Sequence, residues 1–234
     1  MLGLRTVNQD RKSHNNFQWP PIGGTAIAPD WDGGKPECGG GLHFLPWGEG
    51  NGGLLNWESD AIWQVVDDNN APDTVLFNRK AKAHKLTVVF EGNQKEATDY
   101  ILAHGAAGKA VVGTTVVVGD NQVAVTGDNG TATAGDGGTA ISGHGGTAIT
   151  RNYGTAITVD YGQSISGYGG KAIARDFGTA TAGYSGTATA GIGGTLIIKH
   201  WDYRYRTVVG YVGEDGILQD VAYKLDENGK FVKA

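Results

Sequence analysis

The sequence predicts a mainly β protein: a two-sided β-solenoid of 16-residue coils, preceded by an N-terminal α+β domain and closed by an antiparallel β cap. Three observations predict it. An eight-residue period runs without a slip from residue 114 to residue 194, and a fixed short period is the mark of a solenoid. Forty of the 234 residues are glycine against six prolines, which sets the chain apart from an ordinary globular domain. Charge also changes along the chain: residues 1–113 hold 13 acids and 10 bases, residues 114–194 only five acids and three bases. That shift marks a boundary near residue 110, and the domains read as 1–104, 105–198 and 199–234.

The first domain carries Trp19, Trp31, Trp47, Trp57 and Trp63. So many tryptophans in a small domain are expected in its core and at a domain interface. The GGG run 39–41 is expected to make a tight turn between Cys38 and His43. The domain ends on EGNQKEATDYILAHG (91–105), a predicted helix over 93–104. Asn93 is its N-cap with Glu96 three residues on, Ala97, Tyr100 and Ile101 make an apolar face, and Gly105 is the stop. A solenoid needs its ends covered, and this helix is expected to cover the N-terminal one.

The array follows the consensus G-T-A-[I/T]-[A/S/T]-G-[D/Y/H]-G in eleven consecutive units. Four β-prone residues, such as Thr147-Ala148-Ile149-Thr150, are bracketed by glycines that are expected to supply the turn dihedrals. Two octads then close one coil. Alternation decides which positions point in. The second octad position includes Gln163 and Lys171 among its threonines, so it should face out; the third is alanine or serine from Ala124 to Ala188, so it should face in. The fourth position shares the outer side with the second and includes Ile141, Ile149, Ile157, Ile165 and Ile173. Exposed apolar ladders mark interfaces, so these five are the candidate interface of a symmetric dimer. An inverted pleat, with the isoleucines filling the core, is the alternative. Aspartates at the seventh position are expected to bond backbone amides of their own turns.

The last segment, from Thr195, changes pattern. Alternation in Tyr203-Arg204-Tyr205-Arg206-Thr207-Val208 predicts a strand, and GEDG (213–216) and ENGK (227–230) are turn signals. Three or four antiparallel strands should close the end. Trp201, Tyr203, Arg204, Tyr205 and Arg206 are candidate partner-binding residues, since aromatics with arginine typify binding hot spots; covering the terminal coil is the equal alternative.

Three resemblances add to this reading. AGYSGTATAG (182–191) is similar to the AGYGST-type repeats of bacterial ice-nucleation proteins, which implies a 16-residue coil. The segments 4–20 and 36–48, through Asn8-x-Asp10, Phe17 and Cys38-x-x-Gly41-Leu42-His43, resemble a domain of unknown function of bacteriophage and prophage proteins, often found ahead of short-period solenoids. That resemblance implies a viral setting. More loosely, Gly41-Leu42-His43 is similar to the strand that lines the nicotinamide pocket in ADP-ribosyltransferase-like folds, with Glu49 and Glu58 as candidates for the acid.

Composition narrows the function. A net charge of −5 gives no positive field for nucleic acid. The opening MLGLRTVNQDRKSHNN has no apolar h-region and no run of about 18 apolar residues occurs, so neither signal peptide nor membrane span is expected. With one cysteine, Cys38, no internal disulfide forms, in keeping with a host cytoplasm. Cys38 and His43 are weak catalytic candidates, lacking a third orienting group and too few for a structural zinc; no metal or cofactor is expected. The reading is a non-enzymatic, dimeric phage-type protein inhibiting a host defence protein, such as a CRISPR component or nuclease, by occupying its surface. A trimeric virion or tail-fibre adhesin and an ADP-ribosyltransferase-like enzyme are the alternatives.

Overall fold

The computed structural model describes residues 1–234, the side chain of His14 excepted. The chain forms two compact units, Met1–Thr114 and Thr115–Ala234.

The first unit is built on one antiparallel sheet. Its strands are β1 (Leu2–Val7), β2 (Thr25–Ile27), β3 (Leu42–Pro46), β4 (Ile62–Asp67), β5 (Val75–Phe77), β6 (Lys80–Ala83) and β7 (Lys85–Gly92), in the order β2-β7-β4-β1-β3-β6-β5. The apolar strands β1 and β4 lie at its centre and bury side chains on both faces. On one side Trp19, Phe44, Val66, Leu86 and Val88 pack together. On the other, Leu4, Leu45, Trp63 and Val65 meet the helix α1 (Gln94–Ile101) through Ala97 and Ile101. Asn93 and Glu96 complete a reciprocal capping box, satisfying amides that the helix itself leaves open. A π-turn, Leu102–Ala106, follows, in which Gly105 takes φ 119°.

The second unit is a two-sided β-solenoid. Strands β8 (Thr115–Val117), β10 (Thr131–Ala134), β12 (Thr147–Thr150), β14 (Gln163–Ile165), β16 (Thr179–Ala182) and β18 (Thr195–Trp201) form one parallel sheet. Strands β9 (Val123–Val125), β11 (Thr139–Ser142), β13 (Thr155–Thr158), β15 (Lys171–Ile173) and β17 (Thr187–Thr189) form the other. Each strand pairs with the one a coil later in strict register, as in Thr131↔Thr147 and Ala140↔Ala156. The C-terminal end is closed by antiparallel strands. β19 (Tyr205–Tyr211) pairs with β18, and β20 (Tyr223–Leu225) and β21 (Phe231–Lys233) extend the sheet of β17. Ile217 and Tyr223 there bury larger side chains against Leu196 and Ile198.

The interior of the array is alanine. Ala132, Ala148 and Ala180 in one sheet and Ala140, Ala156, Ala172 and Ala188 in the other are all 0% exposed. Hydroxyls fill the rest and pair there: Thr126 Oγ1 donates to Ser142 Oγ at 2.9 Å, and Ser142 Oγ to the Gly130 carbonyl at 2.8 Å. The pleat therefore has the threonine and isoleucine columns outside.

Glycine works differently from the expectation. The left-handed residue of each turn is the eighth of the octad. It is Gly at 137, 145, 169 and 193 but Asn121, Asn129, Tyr153, Tyr161, Phe177 and Ser185 elsewhere, all with φ between 54° and 65°. The glycine that opens each octad from Gly138 to Gly194 serves close approach instead. A Cβ on Gly146 would lie 2.0 Å from Ser142 Oγ and 2.8 Å from the Gly130 carbonyl oxygen. The turn crosses directly over the buried side chain four residues back, and only hydrogen fits.

Candidate functional site

The outer faces of the solenoid are its most regular feature. On the face of β11, β13, β15 and β17, one column reads Thr139, Thr155, Lys171, Thr187 and its neighbour Ile141, Ile157, Ile173, Thr189. On the opposite face the columns read Thr131, Thr147, Gln163, Thr179, Thr195 and Thr133, Ile149, Ile165, Thr181, Ile197. Rungs repeat at about 4.8 Å and the two columns stand roughly 7 Å apart. Successive octads belong to opposite sheets, so the five candidate isoleucines divide: Ile141, Ile157 and Ile173 on one face, Ile149 and Ile165 on the other. None of the five is fully exposed. Stacking in register covers each with its neighbours.

Five of the seventh-position side chains bond the coil that follows. Asp120 Oδ1 accepts from the Asp136 amide at 2.8 Å, Asp136 Oδ1 from the Asn152 amide at 3.0 Å, and Asn152 Oδ1 from the Tyr168 amide at 3.2 Å. On the other edge Asp128 accepts from His144 N and Asp176 from Ile192 N. In these turns the seventh-position amide donates toward the preceding coil and the eighth-position amide toward the following one, as in Asn121 N to the Asp136 carbonyl, so the side chain one coil back meets the seventh-position amide. Asp120, Asp128, Asp136 and Asp176 thus each tie one coil to the next.

Sequence reasoning missed the aromatic columns along these edges. Tyr161 stacks on Phe177 with ring centroids 5.2 Å apart and touches His144 at 5.3 Å. Tyr168 meets Tyr153 at 5.4 Å and Tyr184 at 6.1 Å. Their spacing of one coil, as in 161 and 177 or 168 and 184, was the signal that could have shown them.

At the C-terminal end the five candidate partner-binding residues do come together, on the hairpin of β18 and β19. Trp201 and Tyr205 are cross-strand partners with rings edge-on at 5.0 Å. Tyr203 at the tip is 95% exposed, Arg204 is also exposed, and Arg206 Nε donates to Asp202 Oδ2 at 2.9 Å. These aromatics stand in solvent and do not cover a coil.

In the first unit Cys38 and His43 are not joined by a hydrogen bond among the described contacts. Cys38 is exposed, and its sulfur accepts from Lys80 Nζ at 3.1 Å. The His43 Nε2 is buried without a partner. Burial, with the charges of Lys80, Lys82 and Arg5 beside it, lowers the His43 pKa to about 4, and Asp30 opposes them weakly. The ring is therefore neutral at physiological pH, but no nucleophile donates to it. The Glu49 carboxylate accepts from the Ala110 amide and pairs with Lys109, while Glu58 is exposed. Gly39–Gly41 fold back on Asp30 so tightly that a Cβ on Gly40 would stand 1.6 Å from the Asp30 carbonyl oxygen. Among the described residues no three His, Cys, Asp or Glu side chains gather in a metal-binding group.

The chain is similar to an ice nucleation protein of Xanthomonas campestris pv. translucens, 34% identical over 112 residues. The match covers 44% of this chain and spans only 7% of that relative's length. No family model and no solved structure matches. Together with the β-solenoid, the match supports the kinship of the octads with ice-nucleation repeats. The resemblance of residues 4–104 to a phage domain gains no support from these comparisons.

Proposed function

We propose that the chain is a non-enzymatic binding protein whose working surfaces are the outer faces of the solenoid. The single observation behind this is the in-register pair of Thr and Ile columns on each face, rigidly repeated by coil-to-coil bonds at the edges. A flat face with alternating hydroxyl and apolar columns suits another flat β face, and a second copy of the chain is the proposed occupant. Light scattering after size exclusion tests it. The wild type is expected as a dimer, and Ile149→Lys with Ile165→Lys as a monomer with its β circular dichroism intact. A monomeric wild type would end the pairing proposal.

Inhibition of a host defence protein is the narrower form of this proposal. Expression in a host with an active CRISPR system or restriction nuclease should then raise phage plating at least tenfold; unchanged plating removes it.

A second reading is that the face orders water, as the name of the Xanthomonas relative suggests. The Thr-x-Thr rungs at 131–133, 179–181 and 187–189 favour it, while Gln163 and Lys171 interrupt the columns. Droplets containing the protein that freeze no warmer than buffer would rule it out.

A further inference from the structure

The sheet of the first unit forks where β1 and β3 part. Gly3↔Pro46 and Leu4↔Leu45 are paired, yet the ladder stops there although β1 continues to Val7 and β3 starts at Leu42. Continued in register, Arg5 would meet Phe44 and Thr6 would meet His43. Instead a cavity of about 1180 Å³ lies in the fork, with Arg5, Thr6, His43 and Phe44 among its walls.

Arg5 is the anomaly. It is 7% exposed, with its guanidinium 3.3 Å from the centre of the Trp19 ring. Its Nη1 donates to the His43 carbonyl at 3.4 Å and its Nη2 to the Thr6 carbonyl at 3.3 Å, both long bonds to neutral acceptors. Its Nε has no partner. Among the described ion pairs none involves Arg5. Burial disfavours its charge strongly, but an arginine keeps its proton in proteins, so the cost falls on stability. A buried charge with no counter-ion is destabilising.

His43 also lines this cavity, and its Nε2 is a second buried atom without a partner. Lys12 and Lys80 also line it, against one acid, Asp30, whose Oδ1 already accepts from the Gly41 amide at 3.1 Å. Three cations thus line one space against a single acid, and two of the residues in its wall, Arg5 and His43, each carry a buried polar atom without a partner.

We infer that this cavity binds a small organic anion, its phosphate or carboxylate group set against Arg5 and Lys80. The size excludes a bare ion as the full occupant, because cavities of roughly 300–1,000 Å³ already hold drug-sized ligands. His43, neutral at physiological pH, enters as a hydrogen-bonding partner for a hydroxyl or amide of the ligand. The inference is independent of what the solenoid faces bind.

Titration calorimetry on the full chain tests it, with adenosine monophosphate and citrate as the phosphate and carboxylate probes. Adenosine and inorganic phosphate are the controls. At least one of the two organic anions is expected to bind with Kd below about 1 mM, roughly −4 kcal/mol. It should bind at least about tenfold more tightly than adenosine or inorganic phosphate, a difference near 1.4 kcal/mol. Arg5→Met should abolish that binding while leaving the ligand-free melting temperature no lower, because it removes an uncompensated charge. Lys80→Ala, at the partly exposed wall, should weaken binding several-fold and carries the test if Arg5→Met does not fold. No binding by either anion at 10 mM overturns the inference. So does affinity unchanged in Lys80→Ala and Arg5→Met, or inorganic phosphate binding as tightly as the larger probes.

Discussion

Residues 1–114 and residues 115–234 solve the same problem, burying a β-sheet face, in opposite ways. The first unit fills its core with large side chains: Leu4, Leu45, Leu86 and Trp19 are all 1% exposed or less. The second fills its core with alanine, serine and threonine. A buried leucine contributes about 1.5–3 kcal/mol, an alanine methyl nearer 0.8 kcal/mol. The solenoid must make up the difference through number, and it does so with paired backbones on every rung and a side-chain bond between coils at the turns. Irregular packing of large groups can leave a cavity open, as it does at Arg5. A repeat of small groups draws its two sheets close together and presents a regular surface.

The contrast can be broken from both sides. In the first unit, Leu4→Ala should be the most damaging single change. It is 0% exposed in the cluster that joins the sheet to α1, and such truncations cost about 2–5 kcal/mol through lost burial and the cavity left behind. Hydrogen exchange read by mass spectrometry should lose protection in β1, β3 and β4. Protection lost equally in the solenoid strands would show that the two cores are not separate in energy.

In the second unit the damaging direction reverses. Ala148→Leu adds three carbons between sheets spaced for methyl groups, with Ala132 and Ser164 directly above and below. Overpacking of this kind costs about 1–3 kcal/mol, whereas Ala148→Gly should cost about 1–2 kcal/mol, from the lost methyl burial and from backbone entropy. A melting temperature lowered more by glycine than by leucine would mean that the interior is looser than its side chains indicate.

The same contrast explains what could be read from sequence. Period and alternation specify the solenoid because each octad faces the same neighbours as the last. Lys171 and Gln163 among the threonines therefore gave the inward and outward sides correctly. The capping box at Asn93 and Glu96 was legible for a similar reason, being local. Two features of the repeats were not. The opening glycine looks like a turn residue until the crossing over Ser142 is seen, and the Asp136–Asn152 bond joins groups one coil apart that sequence places in separate turns. In the first unit almost nothing at the site was legible. Arg5 sits in LGLRTV, where an arginine in a short apolar strand reads as an outward-facing residue. Only the order of strands, with β1 between β4 and β3, puts it inside.

The smallest expected effect concerns His43, and it bears on how the first unit carries a cavity. The imidazole has a pKa near 6.5 in the unfolded chain and about 4 in the folded one, lowered first by burial and then by Lys80, Lys82 and Arg5. Between those values the unfolded state binds more protons, so stability rises with pH from about 4 to about 6.5 and is flat above. Full conversion at about 1.4 kcal/mol per pKa unit overstates the change, because solvent still reaches part of the ring and screens it. A loss on the order of 1 kcal/mol on acidification through this window is expected. His43→Gln should remove that part of the slope while leaving the part due to carboxylates. Denaturant midpoints followed by tryptophan fluorescence, which reports mainly on the first unit and its five tryptophans at 19, 31, 47, 57 and 63, measure it directly. An identical slope in the variant would place His43 in solvent and remove one of the two buried orphans from the wall of the cavity. A flatter slope keeps both there, a neutral ring near a guanidinium with no counter-ion, and an anion bound against Arg5 should then raise the His43 pKa and flatten the wild-type slope.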